Sequence, residues 1–579
     1  MKFSKMIGRH KMAIILAVLF SLFVAFPQIA FRIEHKDDGI YQGIELLPDN
    51  SWPPRVREIR DGHGFGSIYY KEGKDDPYLF QPLGSMTVAY MGKAFSLDIN
   101  DTLLLSRFVL SFIVYLLIYC FVFLLSRDKF AALSGASVLL LADAVMNFSG
   151  LRALANGISP SNFLNIGLPV NPAMIYILLF VFLASFWLFY QRRDYRWGVI
   201  SAIILGLNFY NYFYSWTYLY AFGGALVLLF LLQRNWREAM RIGSVFIGAL
   251  VVAIPYGFNL YRASLYPLFD EVGLRQGIIF THAPVFVGFV VIAALIIYLL
   301  GFPKEDKERY FFGLALLLAP FVTMNQQIAT GKVMQAAHYH WYFHKPVAVI
   351  LVIVTSFYLL SRIKTVWYRH ALATLVILAS FATGVFIQTN SYFSDRGDAG
   401  IVAVERQKYG PVMDWLNQNA IKEEVVLSNN PISYLVSIYT PLNVFHHRAA
   451  MYFLSATKER LLDAIFTFYR LRGISSKDSH EVFSEERGDI SWNIYGIHYR
   501  QLSGSVEDIP DEEINNIVKL YEATLATPTS EWLKQKMIQY EVNYVVWDKK
   551  ADPDWQLGKY AFFKEIIAFG DLSIYQLQQ

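Results

Sequence analysis

Eleven apolar stretches alternate with short polar connections over the first 388 residues. Each approaches the roughly 17–25 residues that a helix needs to cross a bilayer. They are Met12–Phe31, Thr102–Leu125, Phe130–Phe148, Ala173–Tyr190, Trp197–Tyr214, Trp216–Leu232, Ile242–Leu260, Pro284–Leu300, Tyr310–Met324, Pro346–Leu360 and Ala371–Ile387. The stretch Trp197–Leu232 also reads as one hairpin or a re-entrant pair, because polar and aromatic residues interrupt it at Asn208–Trp216. The first stretch follows a basic start and is longer than the 7–15 apolar residues of a signal peptide, so it reads as a retained anchor.

Beyond Ile387 the pattern becomes mixed and charged. Pro411–Asn419, Pro431–Tyr439, Thr457–Leu471 and Trp532–Ile538 carry helical periodicity. Gly473 is placed to end the third of these. Glu424–Asn430, Val542–Asp548 and Leu572–Leu577 read as strands, and helices alternating with strands predict an α/β domain. The expected organisation is therefore an α-helical polytopic membrane domain, residues 1–388, with a large first loop over 32–101, followed by a soluble α/β domain over 389–579. No GxGxxG, GxSxG or Walker loop occurs in that domain, which gives nucleotide binding and serine hydrolysis no support.

Charge supplies the orientation. Every other connection is basic, with about eighteen Lys and Arg in that set against five in the intervening short connections. Cytoplasmic loops carry the excess of Lys and Arg. The N-terminus is thus expected in the cytoplasm, and the 32–101 loop, the loops near 149–172, 261–283 and 326–345 and the C-terminal domain outside it. Composition agrees with a membrane protein, at 55% hydrophobic and 17% charged. A single cysteine, Cys120, excludes an intrachain disulfide and a cysteine-based zinc or iron–sulfur site.

The chemically rich segments all fall on the outer side. Directly after the first span stands Glu34-His35-Lys36-Asp37-Asp38, followed by Asp49 and then Ser51-Trp52-Pro53-Pro54-Arg55-Val56-Arg57-Glu58-Ile59-Arg60-Asp61-Gly62-His63-Gly64. Acids at a membrane boundary are costly unless solvated, paired or metal-bound. A carboxylate there is suited to take a proton from a hydroxyl or to help hold a divalent ion. Arg55–Asp61 reads as a short amphipathic helix with Arg57 placed to pair with Asp61 and Arg55 with Glu58. Its alternative readings are an interfacial helix with ordinary salt bridges, or one that turns Arg57 or His63 toward a cleft.

An acidic pair just past the first span, an outer loop with a short Arg-x-x-Glu helix, many further spans and an outer C-terminal domain together resemble the GT-C superfamily of membrane glycosyltransferases. That resemblance implies a polyprenyl-phosphate-linked sugar donor, inversion at the anomeric carbon, and a catalytic or metal-associated acid at Asp37 or Asp38. The spacing to the Arg55–His63 stretch leaves Asp49 and Asp61 open for the same role. The cofactor stays unknown, with a divalent cation such as Mg or Mn as one candidate.

Two further groups complete the candidates. Asn325–Lys345 gathers amides, imidazoles and lysines, and Lys332, Gln335, His338 and His340 suit a lipid phosphate at headgroup depth. His338 and His340 are expected on one side of an extended segment. Arg107 and Asp143 fall inside the second and third spans, where they read as an interhelical pair or as members of the cleft. The expected partners are a lipid-linked sugar donor, an extracytoplasmic acceptor and the bilayer of a plasma or inner membrane, with no nucleic acid. The competing readings are a transporter or flippase for a lipid-linked glycan and a non-catalytic envelope assembly protein. No midplane set of ionisable residues of the kind ion-coupled transporters use is present in the spans.

Overall fold

The computed structural model describes residues 2–37, 51–363, 366–393, 398–496 and 509–578. Each of the eleven apolar stretches contains a helix, although Phe130–Phe148, Trp197–Tyr214 and Pro284–Leu300 run beyond theirs. Among the described residues, eight helices are long and apolar enough to cross a membrane. Three of the eleven expected spans fall on shorter helices, Lys129–Leu141, Tyr195–Asn208 and Phe289–Gly301, which have 13, 14 and 13 residues. At 1.5 Å per residue each is only about 20 Å long, short of the hydrocarbon core. The Trp197–Leu232 stretch is two antiparallel helices, Tyr195–Asn208 and Phe213–Leu232, joined by a tight turn.

The helices share one continuous apolar core. Ile99–Ser126 is its centre, packing against the first helix, Lys129–Leu141 and Ala173–Arg192. Asp98 caps its N-terminus by accepting from the Asp101 amide, and Asp128 caps the next helix in the same way. Two excursions on the C-terminal-domain side bear on the site. Ile278–Phe280 (β1) pairs antiparallel with Lys332–Met334 (β2), and a helical turn over Ala337–Tyr339 widens into a π-helical turn at His340–His344 before Lys345–Ser361 begins. Such widened turns recur at functional sites.

The C-terminal domain is α/β, as its pattern predicts. Val425–Leu427 (β3), Asn443–Val444 (β4), Val542–Asp548 (β5), Phe563–Phe569 (β6) and Leu572–Leu577 (β7) form one sheet in the order β4-β3-β5-β7-β6. β3 runs parallel to β4 and β5, and the β6–β7 hairpin closes the far side in antiparallel register. The free edge of β4 is covered by the first outer loop, whose Tyr69 carbonyl accepts from the Val444 amide at 2.9 Å. Ile68, Tyr69 and Tyr70 of that loop are buried in the domain's core beside Leu435 and Val444.

Candidate functional site

The loop after the first helix is locked beneath the C-terminal domain by Trp52–Arg60, a helix with prolines at its first turn and seven buried residues. Arg57 Nε donates to the Ser437 carbonyl at 3.0 Å and Nη2 to the Leu442 carbonyl at 3.2 Å. Its Nη1 pairs with Asp61 at 2.9 Å, the predicted i,i+4 contact, and Nη2 pairs with Glu58 at 2.8 Å. Glu58, 1% exposed, also receives Lys74 at 2.8 Å and His63. His63 reaches on to Glu423 at 3.0 Å. Burial alone would raise the Glu58 carboxyl; Arg57, the His63 hydrogen bond and Lys74 outweigh it and hold it down to about 2. Arg57, Glu58 and His63 are thus engaged in joining the loop to the domain, with four of the five Arg57 N–H donors spent on Ser437, Leu442, Glu58 and Asp61. Glu58 pairs with Arg57, His63 and Lys74, not with Arg55.

Arg55 is the residue that sequence reasoning passed over. Its guanidinium lies 5.3 Å from the Trp52 ring centroid and 4.7 Å from that of Phe80. It is 6% exposed and makes no ion pair or side-chain hydrogen bond among the described residues. Burial pulls it down to about 10, so it keeps its charge at neutral pH. The Trp52-Pro53-Pro54-Arg55 run carried the signal, since an aromatic and an arginine three apart share a helix face.

Asp37 is exposed in the turn that follows the first helix. Asp38 and Asp49 lie outside the described residues. Among those described, no three His, Cys, Asp or Glu side chains gather as a metal would require.

Asp143 and Arg107 do not form the expected pair. The third apolar helix ends at Leu141, and Asp143 opens a 3-10 turn beyond it. Its carboxylate meets Lys345 Nζ at 2.7 Å. Burial raises the Asp143 carboxyl, and the Lys345 ammonium works against that rise. Arg107 instead donates from Nε to the Gly167 carbonyl at 2.9 Å, next to Phe163 and Pro27. Asp143 and Lys345 border a cavity of about 410 Å³ with Asn147, Asn165, Tyr176, Trp341 and Tyr342. Phe163 borders that cavity and also the smaller one that holds Arg107.

The 325–345 candidates divide. Gln335 Nε2 donates to the Gln276 carbonyl at 2.7 Å and Gln327 Nε2 to Ala283 at 2.9 Å, so these amides staple the ribbon to its neighbours. His338 and His340 are on helical backbone, where two positions are about 200° apart, and not side by side on an extended segment. His338 bonds through Nδ1 to the Tyr212 hydroxyl and packs on Tyr214, Trp341 and Tyr342. His340 fills the space left by Gly288, where a Cβ would sit 2.9 Å from its ring. Lys332 is exposed, 5.2 Å from the Phe280 ring centroid, and pairs with no carboxylate among the described residues.

Lys332, Gln326 and Thr330 stand at one end of an apolar groove of about 960 Å³. Its walls are Phe213–Leu232 on one side and the end of Lys307–Thr323 on the other, with Tyr339 beside the polar end. Tyr339 borders this groove while Trp341, Tyr342 and Lys345 border the Asp143 cavity. The helical segment 337–345, about two and a half turns, therefore separates an apolar groove from a cavity of mixed lining that holds Asp143 and Lys345.

No protein-family model matches the chain, and no characterised protein matches it in sequence. Solved structures to which its own is similar include the following three. The apo oligosaccharyltransferase of Archaeoglobus fulgidus aligns over 93% of this chain and 70% of its own, at 14% identity and TM-score 0.49. ArnT of Cupriavidus metallidurans, solved with undecaprenyl phosphate, aligns over 97% of both chains, at 11% identity and TM-score 0.42. The mycobacterial arabinofuranosyltransferase AftD aligns over 98% of this chain and 40% of its own, at 13% identity and TM-score 0.46.

Proposed function

We propose that this chain is a membrane glycosyltransferase that moves a sugar from a polyprenyl-phosphate carrier to an acceptor outside the cytoplasm. The observation that supports the reading is the pairing of a groove and a cavity on the two sides of residues 337–345. An apolar tail fits the groove. Lys332 meets the phosphate. The sugar enters the cavity, where Asp143 and Asn147 accept or donate to its hydroxyls and Trp341 offers an aromatic face.

In the proposed reaction the acceptor hydroxyl oxygen attacks the anomeric carbon. The bond from that carbon to the phosphate oxygen breaks, and polyprenyl phosphate leaves with the electron pair. The acceptor's proton passes to Asp37 or Asp38. Positive charge at Lys332 stabilises the charge that develops on the leaving phosphate. The described residues offer no metal site, and no step runs through one.

The test is transfer from a panel of radiolabelled polyprenyl-phosphate sugars into membrane glycans, with Asp37→Asn and Asp38→Asn compared at equal folded protein. Loss of a general base costs on the order of a hundredfold or more in rate. Full activity in both variants would refute the assignment of the base.

A further inference from the structure

Gly223 and Gly224 are neighbours on the Phe213–Leu232 helix, yet their surroundings differ completely. A Cβ on Gly223 would lie 2.1 Å from the Phe246 ring, whereas one on Gly224 meets nothing within 4 Å. Packing explains the first glycine and leaves the second without a packing reason, although glycine in a helix costs about 1 kcal/mol against alanine. Gly224 is exposed and borders the apolar groove. Trp216, Tyr220, Gly224, Leu228 and Leu232 follow one another along that wall at helical spacing.

The wall is a helix of 20 residues, about 28 Å end to end at 1.5 Å per residue. That is close to the full hydrocarbon thickness of roughly 30 Å. Gly224 stands eleven residues from Phe213, about 16 Å along the axis and near the midplane. An acyl chain of a phospholipid spans one leaflet and would end before it. The polar end carries the exposed Lys332, which has no carboxylate partner among the described residues, with Gln326 and Thr330, and the opposite end carries Leu232. The groove therefore matches one long apolar tail with an anionic head, entering at one face of the membrane only.

We infer that Gly224 is a chain-length gate: the groove takes a single isoprenoid tail longer than one leaflet, and the missing side chain at 224 lets it pass the midplane. This rests on the lipid-phosphate donor reading and adds the selectivity of that same site. Because lipid tails are as apolar as the groove wall, the discrimination comes from packing contacts and steric exclusion, not from burial out of water.

Binding of undecaprenyl phosphate, farnesyl phosphate and dioleoyl phosphatidic acid to the purified full chain in nanodiscs, read by native mass spectrometry, tests the inference. Wild type is expected to prefer undecaprenyl phosphate. Gly224→Phe should lower its affinity on the order of tenfold and leave farnesyl phosphate unchanged, while Gly224→Ala behaves as wild type. Leu228→Trp places the obstruction one turn further in and should show the same split if Gly224→Phe folds poorly. Equal binding of undecaprenyl phosphate by wild type and both obstructed variants, or equal binding of phosphatidic acid by wild type, overturns the gate. Failure of wild type to bind any of the three overturns the donor reading itself, a result distinct from the first two.

Discussion

Replacing Glu58 by Gln should loosen the joint between the first outer loop and the C-terminal domain. The carboxylate is 1% exposed and faces Arg57 at 7% and Lys74 at 14% exposure. Removing its charge leaves a neutral amide where Lys74 and Arg57 shared a carboxylate, with Arg57 keeping its pair to Asp61. A carboxyl held at about 2 in place of its ordinary 4.5 corresponds to about 3 kcal/mol in favour of the charged form. Breaking a buried ion pair by removing one partner costs about 3–5 kcal/mol, in agreement. For a domain of this size each kcal/mol moves the midpoint by about 2–4 °C, so tryptophan-fluorescence melting in detergent should fall by about 6–12 °C. Lys71→Met, which removes only an exposed pair with Glu541, is the control and should change stability by about 1 kcal/mol or less. If Glu58→Gln melts within the error of wild type, the network is not what holds the loop under the domain.

The same carboxylate sets an acid limit. Its folded pKa lies below its unfolded one, so its contribution is complete above about pH 4.5 and is lost as the pH falls toward about 2. Melting scans across that window should show wild type losing more stability than Glu58→Gln. Gly223→Ala should cost about 1–3 kcal/mol through the clash with Phe246, while Gly224→Ala next to it meets no atom and should stabilise by up to about 1 kcal/mol through helix propensity. Lys345→Met strips the partner from Asp143, whose side chain is 32% exposed toward the cavity. A loss of about 1–3 kcal/mol is expected, below the fully buried case. Adding Asp143→Asn should recover part of that loss, and a double-mutant cycle with no coupling would refute the pair.

How far the chain could be read follows from which contacts are local. Every apolar stretch holds a helix because a helix satisfies its own backbone hydrogen bonds within one segment. The length of three of them was overread, since polar ends such as Asp143-Ala144-Val145 extend an apolar run without extending its helix. Strands Val542–Asp548 and Leu572–Leu577 were legible from their own pattern, whereas the two-residue β4 owes its place to β3 and to Tyr69. The Arg57–Asp61 pair was visible at i,i+4. The partner of Asp143 was not, because Lys345 is 202 positions away. His338 and His340 diverge because the segment continues a helix backward from Lys345, a tertiary choice that spacing alone does not fix. The groove was invisible for a related reason: an apolar stripe facing a cleft has the same periodicity as one facing lipid or core.

The seat of Tyr69 and Tyr70 inside the C-terminal fold has a practical side for anyone dissecting the molecule. A fragment beginning at residue 398 would lack the strand-edge partner of Val444 and two of the largest fully buried rings, and would present an open sheet edge and an unfilled hollow to solvent. The half outside the membrane is thus assembled from two distant stretches of one polypeptide. Chimeras that swap it between related chains should carry residues 51–80 along with it, or fail as insoluble protein regardless of how well the junction near the last span is chosen.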